Sequence, residues 1–152
     1  GGYIHPRGLN SRMDSGFKVK KGVQELAGHR GPGEVRILDL VLGAEWVLEY
    51  HKDMEKWEAP IGGIYLVQAR GASAADASWG LVSNKGGTGA AIEAHFRFEE
   101  GDSLTVLCGG ISRSYKDRMG SCSGGGGATC VFQGAAEFEN LLLCAGGGGG
   151  AA

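Results

Sequence analysis

The chain has 152 residues, enough for one sizeable core and too few for more than one ordinary domain with an appendage. Its 30 glycines against 3 prolines exclude a collagen helix, which needs strict triplets and abundant proline, and an all-helical bundle, where each interior glycine costs about 1 kcal/mol relative to alanine. A net charge of -2 lacks the basic footprint of a duplex nucleic-acid binder, and 42% hydrophobic residues exclude generic disorder.

Residues 1–34 are loosely patterned and broken by glycines, with one short alternating run, Phe17, Lys18, Val19, Lys20. They read as an N-terminal extension, an assembly arm able to add a strand to a neighbour's open sheet, with Phe17 and Val19 as its candidate contacts. The stretch behind Gly1 lacks the charged, apolar and small-residue order of a signal peptide, so the chain is expected to start after a removed leader or inside a longer protein. No apolar run approaches the length of a membrane-spanning helix, and no membrane insertion is expected.

From Glu34 the texture changes to short runs rich in branched and aromatic residues, separated by turn residues. These predict strands over 35–42, 46–50, 56–58, 64–69, 90–98, 103–108, 128–132 and 141–145. In the fifth run one parity (Ala91, Glu93, His95, Arg97) is mostly polar and the other (Ile92, Ala94, Phe96, Phe98) wholly apolar, so one face of a sheet is buried. Glu93, His95 and Arg97 are therefore expected on a solvent-facing strand surface, available to a partner. The turn that follows places Gly101 where a hairpin wants a positive φ. Short strands at this spacing predict an all-β fold, an antiparallel β-sandwich over 35–152.

The glycine runs differ in kind. Gly124, Gly125, Gly126 and Gly127 precede one predicted strand, Gly146, Gly147, Gly148, Gly149 and Gly150 follow another, and a weaker cluster is Gly86, Gly87, Gly89. Such segments bury no side chains, yet each residue carries a donor and an acceptor to satisfy. The expected solution is a set of packed polyglycine helices with threefold, polyproline-like geometry, linked by N–H to carbonyl bonds and Cα–H contacts. Flexible linkers are the alternative.

The order of these pieces is similar to a known pattern. Trp57, Pro60, Gly63, Tyr65, Ala69, Gly71 and Ala72 resemble the opening "W-x-x-P-x-x-G-x-Y-x-x-x-A-x-G-A" of the glycine-rich extracellular domain in the anaplastic lymphoma kinase and leukocyte tyrosine kinase receptors. Residues 86–109 resemble that family's "G-G-x-G-A-x-x-x-A-x-F-x-L-x-x-G-x-x-L-x-x-L-V-G", 124–132 its "G-G-G-G-A-T-Y-V-F", with Cys130 in place of tyrosine, and 141–150 its "L-L-x-A-A-G-G-G-G". The resemblance covers about residues 45–152. It implies a sandwich like the tumour-necrosis-factor jelly roll carrying glycine helices, displayed outside the cell, which binds a small protein ligand and has no catalysis of its own.

Cys108, Cys122, Cys130 and Cys144 form an even set in the last third, with gaps too long for a zinc pair. Outside the cell they predict two disulfides, with three connectivities open. His51 near Asp53 and Glu55 reads as a polar hairpin rim ahead of a metal or acid–base site. Trp57 fits a core position. Trp79 sits in a loop and is expected to tuck into the core, with an exposed partner contact as the alternative. No phosphate-loop or dinucleotide fingerprint occurs and no motif supports a nucleophilic pair, so no enzyme activity, cofactor or metal is expected. Two functions follow as expectations: a self-associating structural subunit of an extracellular or cell-surface polymer, or a ligand-binding ectodomain module.

Overall fold

The computed structural model describes residues 2–4, 9–14, 28–116, 118 and 120–151. It is mostly antiparallel β-sheet, with one three-residue 3-10 turn at Phe138–Asn140. The strands are β1 (Gly2–Ile4), β2 (Leu9–Asp14), β3 (Glu34–Asp39), β4 (Glu45–Glu49), β5 (Glu55–Glu58), β6 (Gly63–Arg70) and β7 (Ala77–Trp79). After them come β8 (Val82–Asn84), β9 (Ala91–Phe98), β10 (Ser103–Leu107), β11 (Ser114–Lys116), β12 (Ser121–Ser123), β13 (Thr129–Gln133) and β14 (Leu141–Ala145). One five-stranded sheet runs β1-β14-β13-β10-β5 and another β2-β9-β6-β3-β4, while β7-β8 and β11-β12 are separate hairpins.

All eight strands expected from the apolar runs are present. The first is shorter than expected, because Asp39 stops it: its Oδ1 accepts the amides of Val41 (2.8 Å) and Leu42 (3.2 Å), turning 40–42 into a tight bend before Gly43 at φ 74°. Gly101 has the expected positive φ, 86°. The turn it makes is no hairpin within one sheet, however, since β9 and β10 lie in different sheets. The amide of Ala59 binds the Asp102 carbonyl and that of Gly101 the Ala59 carbonyl, which ties this crossing to the end of β5.

One core unites the two sheets. Val35, Ile37, Tyr65, Val67, Ile92, Phe96 and Phe98 from one sheet and Trp57, Leu104, Val106, Val131 and Leu143 from the other belong to a single buried cluster. At its centre Trp57 meets Tyr65 edge-on at 5.3 Å between ring centroids, and Trp46 meets Trp57 at 5.4 Å. The Tyr65 hydroxyl donates to the Ile61 carbonyl at 2.7 Å, so the one polar atom of this ring is satisfied.

The stretch expected to be an extension is, where described, part of the same sheets. β1 pairs with β14 and β2 with β9, each as the outermost strand. Phe17 and Val19 lie outside the described residues. The opposite edges are β4 and β5, consecutive in the chain.

Phe98→Ala is expected to cost about 3–5 kcal/mol in urea unfolding, the usual loss for an aromatic ring deleted from a closed core. Tyr65→Phe should cost only about 1 kcal/mol, one hydrogen bond. Equal losses would mean that the Tyr65 hydroxyl, not the shared ring cluster, sets the stability here.

Candidate functional site

Six strands, three from each sheet, run on past the same end of the fold into side-chain-poor segments. These segments are 28–33 before β3, 71–76 after β6, 85–90 before β9, 108–113 after β10, 124–128 before β13 and 146–151 after β14. Segment 71–76 lies at the centre, with Ala72, Ser73 and Ala74 buried. Its backbone bonds to 28–33 (Ser73 N–H to Gly31 carbonyl, 2.9 Å), to 85–90 (Ala74 to Gly87, 3.0 Å), to 124–128 (Ala72 to Gly127, 3.0 Å) and to 146–151 (Gly148 N–H to Ala72 carbonyl, 2.9 Å). The Ala75 amide reaches the Ser112 hydroxyl of 108–113 at 3.1 Å.

The five outer segments also bond to one another in a closed ring. His29 and Gly89 exchange both backbone bonds, Gly87 N–H meets the Gly149 carbonyl, Gly126 the Gly148 carbonyl, Gly127 the Gly110 carbonyl and Gly33 the Gly109 carbonyl. Both predicted glycine runs are therefore in the ring, and the flexible-linker alternative does not describe them.

Crowding explains the residue type. A Cβ built on Gly71, Gly86, Gly89, Gly109, Gly126, Gly147, Gly148 or Gly150 would approach a backbone oxygen of a neighbouring segment closer than 3.0 Å, inside the distance real Cβ atoms keep. None of these residues has a positive φ. Glycine is required here for approach, not for conformation. Gly149 is the exception, with nothing within 4 Å of its Cβ position, and Gly124 and Gly125 meet only ordinary or mildly tight contacts.

The cysteines divide into a pair and two separate thiols. Cys130 and Cys144 are register partners on β13 and β14, their sulfurs 2.7 Å apart. That approach lowers Cys144 to about 7, because its sulfur accepts the hydrogen bond from Cys130, while the same bond and burial raise Cys130. A lowered thiolate beside its register partner is arranged for disulfide formation. Neither expected bridge is formed: all four thiols are free, Cys108 is buried, 3.4 Å from the Leu48 carbonyl to which its thiol donates, and Cys122 is exposed on β12. Burial, and then the charges of Glu55, Glu34 and Glu49, push the Cys108 thiol up to about 11.

The expected partner surface on β9 is corrected in one residue. Arg97 is exposed and His95 half-buried, but Glu93 is only 2% exposed. Gln68, its register partner on β6, donates to Glu93 at 2.6 Å, and Arg70 joins Gln68 (3.3 Å) and Glu34 (3.4 Å). Arg36 continues the chain to Glu34 (2.9 Å) and Glu45 (3.7 Å). The polar parity that reads as solvent-facing is thus a ladder knitting four neighbouring strands, with Glu93 closed in at its end. Alternation alone reports the face and not what covers it.

Trp79 corrects the core expectation in the other direction. It lies at the tip of the β7–β8 hairpin, 58% exposed, beside Leu81, which projects fully at 106%. The Ser78 amide donates to the Ser121 hydroxyl at 2.6 Å, which docks this hairpin on β11–β12, where Tyr115 is also exposed. Both hairpins connect bundle segments, so together they cap its far end. Sequence reasoning missed all four of these strands, since runs of three residues carry no readable period.

Other constellations are small. A cavity of about 130 Å³ opens among His29, Arg30, Pro32, Gly33, Glu34 and Glu49, below the size of ordinary ligand pockets. His51 and Asp53 are exposed between β4 and β5, with the Asp53 amide 3.3 Å from His51 Nδ1. Among the described residues no group of three His, Cys, Asp or Glu is placed to hold a metal, and no helix is long and apolar enough to cross a membrane. Comparison with protein-family models, curated proteins and solved structures finds no match to this chain.

Two substitutions test the bundle. Gly148→Ala forces a methyl against the Gly87 carbonyl and is expected to cost about 1–3 kcal/mol or more, whereas Gly149→Ala, entering open space, should be neutral in the same thermal or urea assay. Thiol chemistry tests the cysteines. In native protein at pH 8, iodoacetamide should modify Cys122 rapidly and leave Cys108 unmodified, and mild oxidation should join Cys130 to Cys144, as read by peptide mass mapping. Because the Cys108 pKa is raised, its neutral thiol contributes stability fully present below pH 9 and lost as pH rises from about 9 through 11. Cys108→Ala should flatten that alkaline loss.

Proposed function

We propose that this chain is a non-catalytic structural module that works outside the cell and associates with copies of itself. In this reading the two sheets face one another as a jelly-roll sandwich, and the six-segment bundle is a set of polyglycine-type helices like those of the receptor domains it resembles. The single observation that carries the reading is the ring of hydrogen-bonded segments about 71–76. That arrangement devotes six segments of a small chain to backbone hydrogen bonds between segments, and such cross-bonding suits a load-bearing or spacing element. The Cys130–Cys144 pair favours an oxidising environment, where it becomes a bridge clamping β13 to β14 just below the bundle.

The exposed Trp79, Leu81 and Tyr115 favour the second reading, a ligand-recognition ectodomain, since exposed aromatic anchors are the usual centres of protein interfaces. Light scattering over a concentration series separates the two. A subunit grows in mass with concentration; a receptor-type module stays monomeric and shifts only when a ligand is added.

The N-terminal strands give a further test. Because β1 and β2 cover the edges of β14 and β9 within the chain, removing residues 1–14 leaves two bare sheet edges. The truncated protein is expected to lose stability and to aggregate without order, not to remain a clean monomer. A stable monomer after truncation would mean that the arm serves a neighbouring copy and not its own chain.

A further inference from the structure

The two ends of the fold differ in charge and match in apolar character. At the bundle end the capping hairpins expose Trp79, Leu81, Val82 and Tyr115. The two hairpins and the residues flanking them carry the exposed cations Lys85, Arg113, Lys116 and Arg118 against two acids, the exposed Asp76 and, in the sequence between Lys116 and Arg118, Asp117. Gly120, two residues beyond Arg118, comes so near the Trp79 ring that a Cβ on it would collide with the indole, which sets the basic turn beside the tryptophan. At the opposite end lie the turns that join β3 to β4, β9 to β10 and β13 to β14. They expose Leu40, Val41, Leu42 and Phe138, the last at 89%, together with Glu99, Glu100, Glu137 and Glu139. Residues 99–102 and 134–140 contain no lysine or arginine.

From this polarity we infer that copies of the chain stack head to tail, the basic hairpin cap of one seated on the acidic turns of the next. The occupant is a second copy because the two surfaces complement each other in sign on the same molecule, and each carries the exposed hydrophobic side chains that the other would cover. Like ends repel, so a closed twofold dimer is disfavoured. A heterologous contact between opposite ends does not use up either surface, and it propagates as an open chain. The bundle, lying between the poles, then becomes a stiff element of the repeat. This inference rests on the self-association proposed above and specifies its interface.

Charge swapping tests it. Lys116→Glu with Arg118→Glu makes both ends acidic; Glu99→Lys, Glu100→Lys, Glu137→Lys and Glu139→Lys together make both ends basic. Each variant alone is expected to associate about a hundredfold more weakly than the wild type in sedimentation velocity, and an equimolar mixture of the two should regain assembly, because opposite ends again meet. If the wild type assembles but each variant assembles equally well, or the mixture stays monomeric while circular dichroism shows both variants folded, the polar contact is overturned and self-association stands by another surface. A wild type that remains monomeric at every concentration overturns both. Should a variant misfold, a salt series on the wild type decides: assembly must weaken steeply between low and high ionic strength, and insensitivity to salt overturns the inference.

Discussion

The structure depends on a steric constraint at one end of two sheets. Packed sheets stand about 10 Å apart because side chains fill the gap, and their backbones hydrogen-bond only within each layer. Where the strands run out into 71–76, 85–90, 108–113, 124–128 and 146–151, the side chains shrink to hydrogen, methyl or hydroxymethyl at the contacts, and the continuations of the two sheets hydrogen-bond to one another through their backbones. Ala72 to Gly127, Gly87 to Gly149 and Ala90 to Gly146 are all bonds between continuations of different sheets. A single Cβ at Gly71 or Gly148 would push these continuations apart. Burying donors and acceptors in this region is tolerable only because almost every direction offers a partner; each unmade bond would cost about 1–3 kcal/mol.

Two kinds of cohesion therefore share one chain. The aromatic core around Trp57, Tyr65 and Phe98 is held by area removed from water, which is forgiving of small shifts, whereas the bundle is held by bonds whose geometry is not. The six strands couple the two, since each bundle segment is anchored by a strand whose register the core fixes. That coupling accounts for the position of the Cys130–Cys144 pair, two residues or fewer from segments 124–128 and 146–151. A bridge there fixes the relative height of two neighbouring segments at the point where they leave the sheet.

The sequence made the sheet strands legible because apolar runs bounded by turn residues survive in a single chain. It made the glycine runs legible as packed because apolar strands abut them. It concealed the hub, 71–76, which contains one glycine and reads as an ordinary alanine-rich loop; its role comes from being central, and position in space has no local signature. The burial of Glu93 is hidden for the same reason, since its hydrogen-bond partner Gln68 stands 25 residues away in the chain. The Cys130–Cys144 pair belongs to one of three open connectivities, and only the register, which sets Cys130 opposite Cys144, singles it out. Trp79 reads as core because a large aromatic is usually buried, whereas it stands at the two-residue turn of the β7–β8 hairpin and is largely exposed.

A fully projecting leucine at a hairpin tip buries nothing inside the molecule. Ser78 and Ser121 already hold the two hairpins together, and Gly80, at φ 57°, already makes the turn. Polar residues in place of Leu81 and Val82 would serve the fold as well and would keep the tip soluble. The same holds at the other pole, where Asp39 makes the bend through its carboxylate and needs nothing from Leu40, Val41 or Leu42. Apolar side chains that the fold neither buries nor needs are a cost in water, and that cost is removed only when something covers them. The two sets lie at opposite ends of the fold, with an excess of cations near one and of acids near the other. In the head-to-tail stack proposed above a second copy covers both, and the covering of one end leaves the far end free to repeat it.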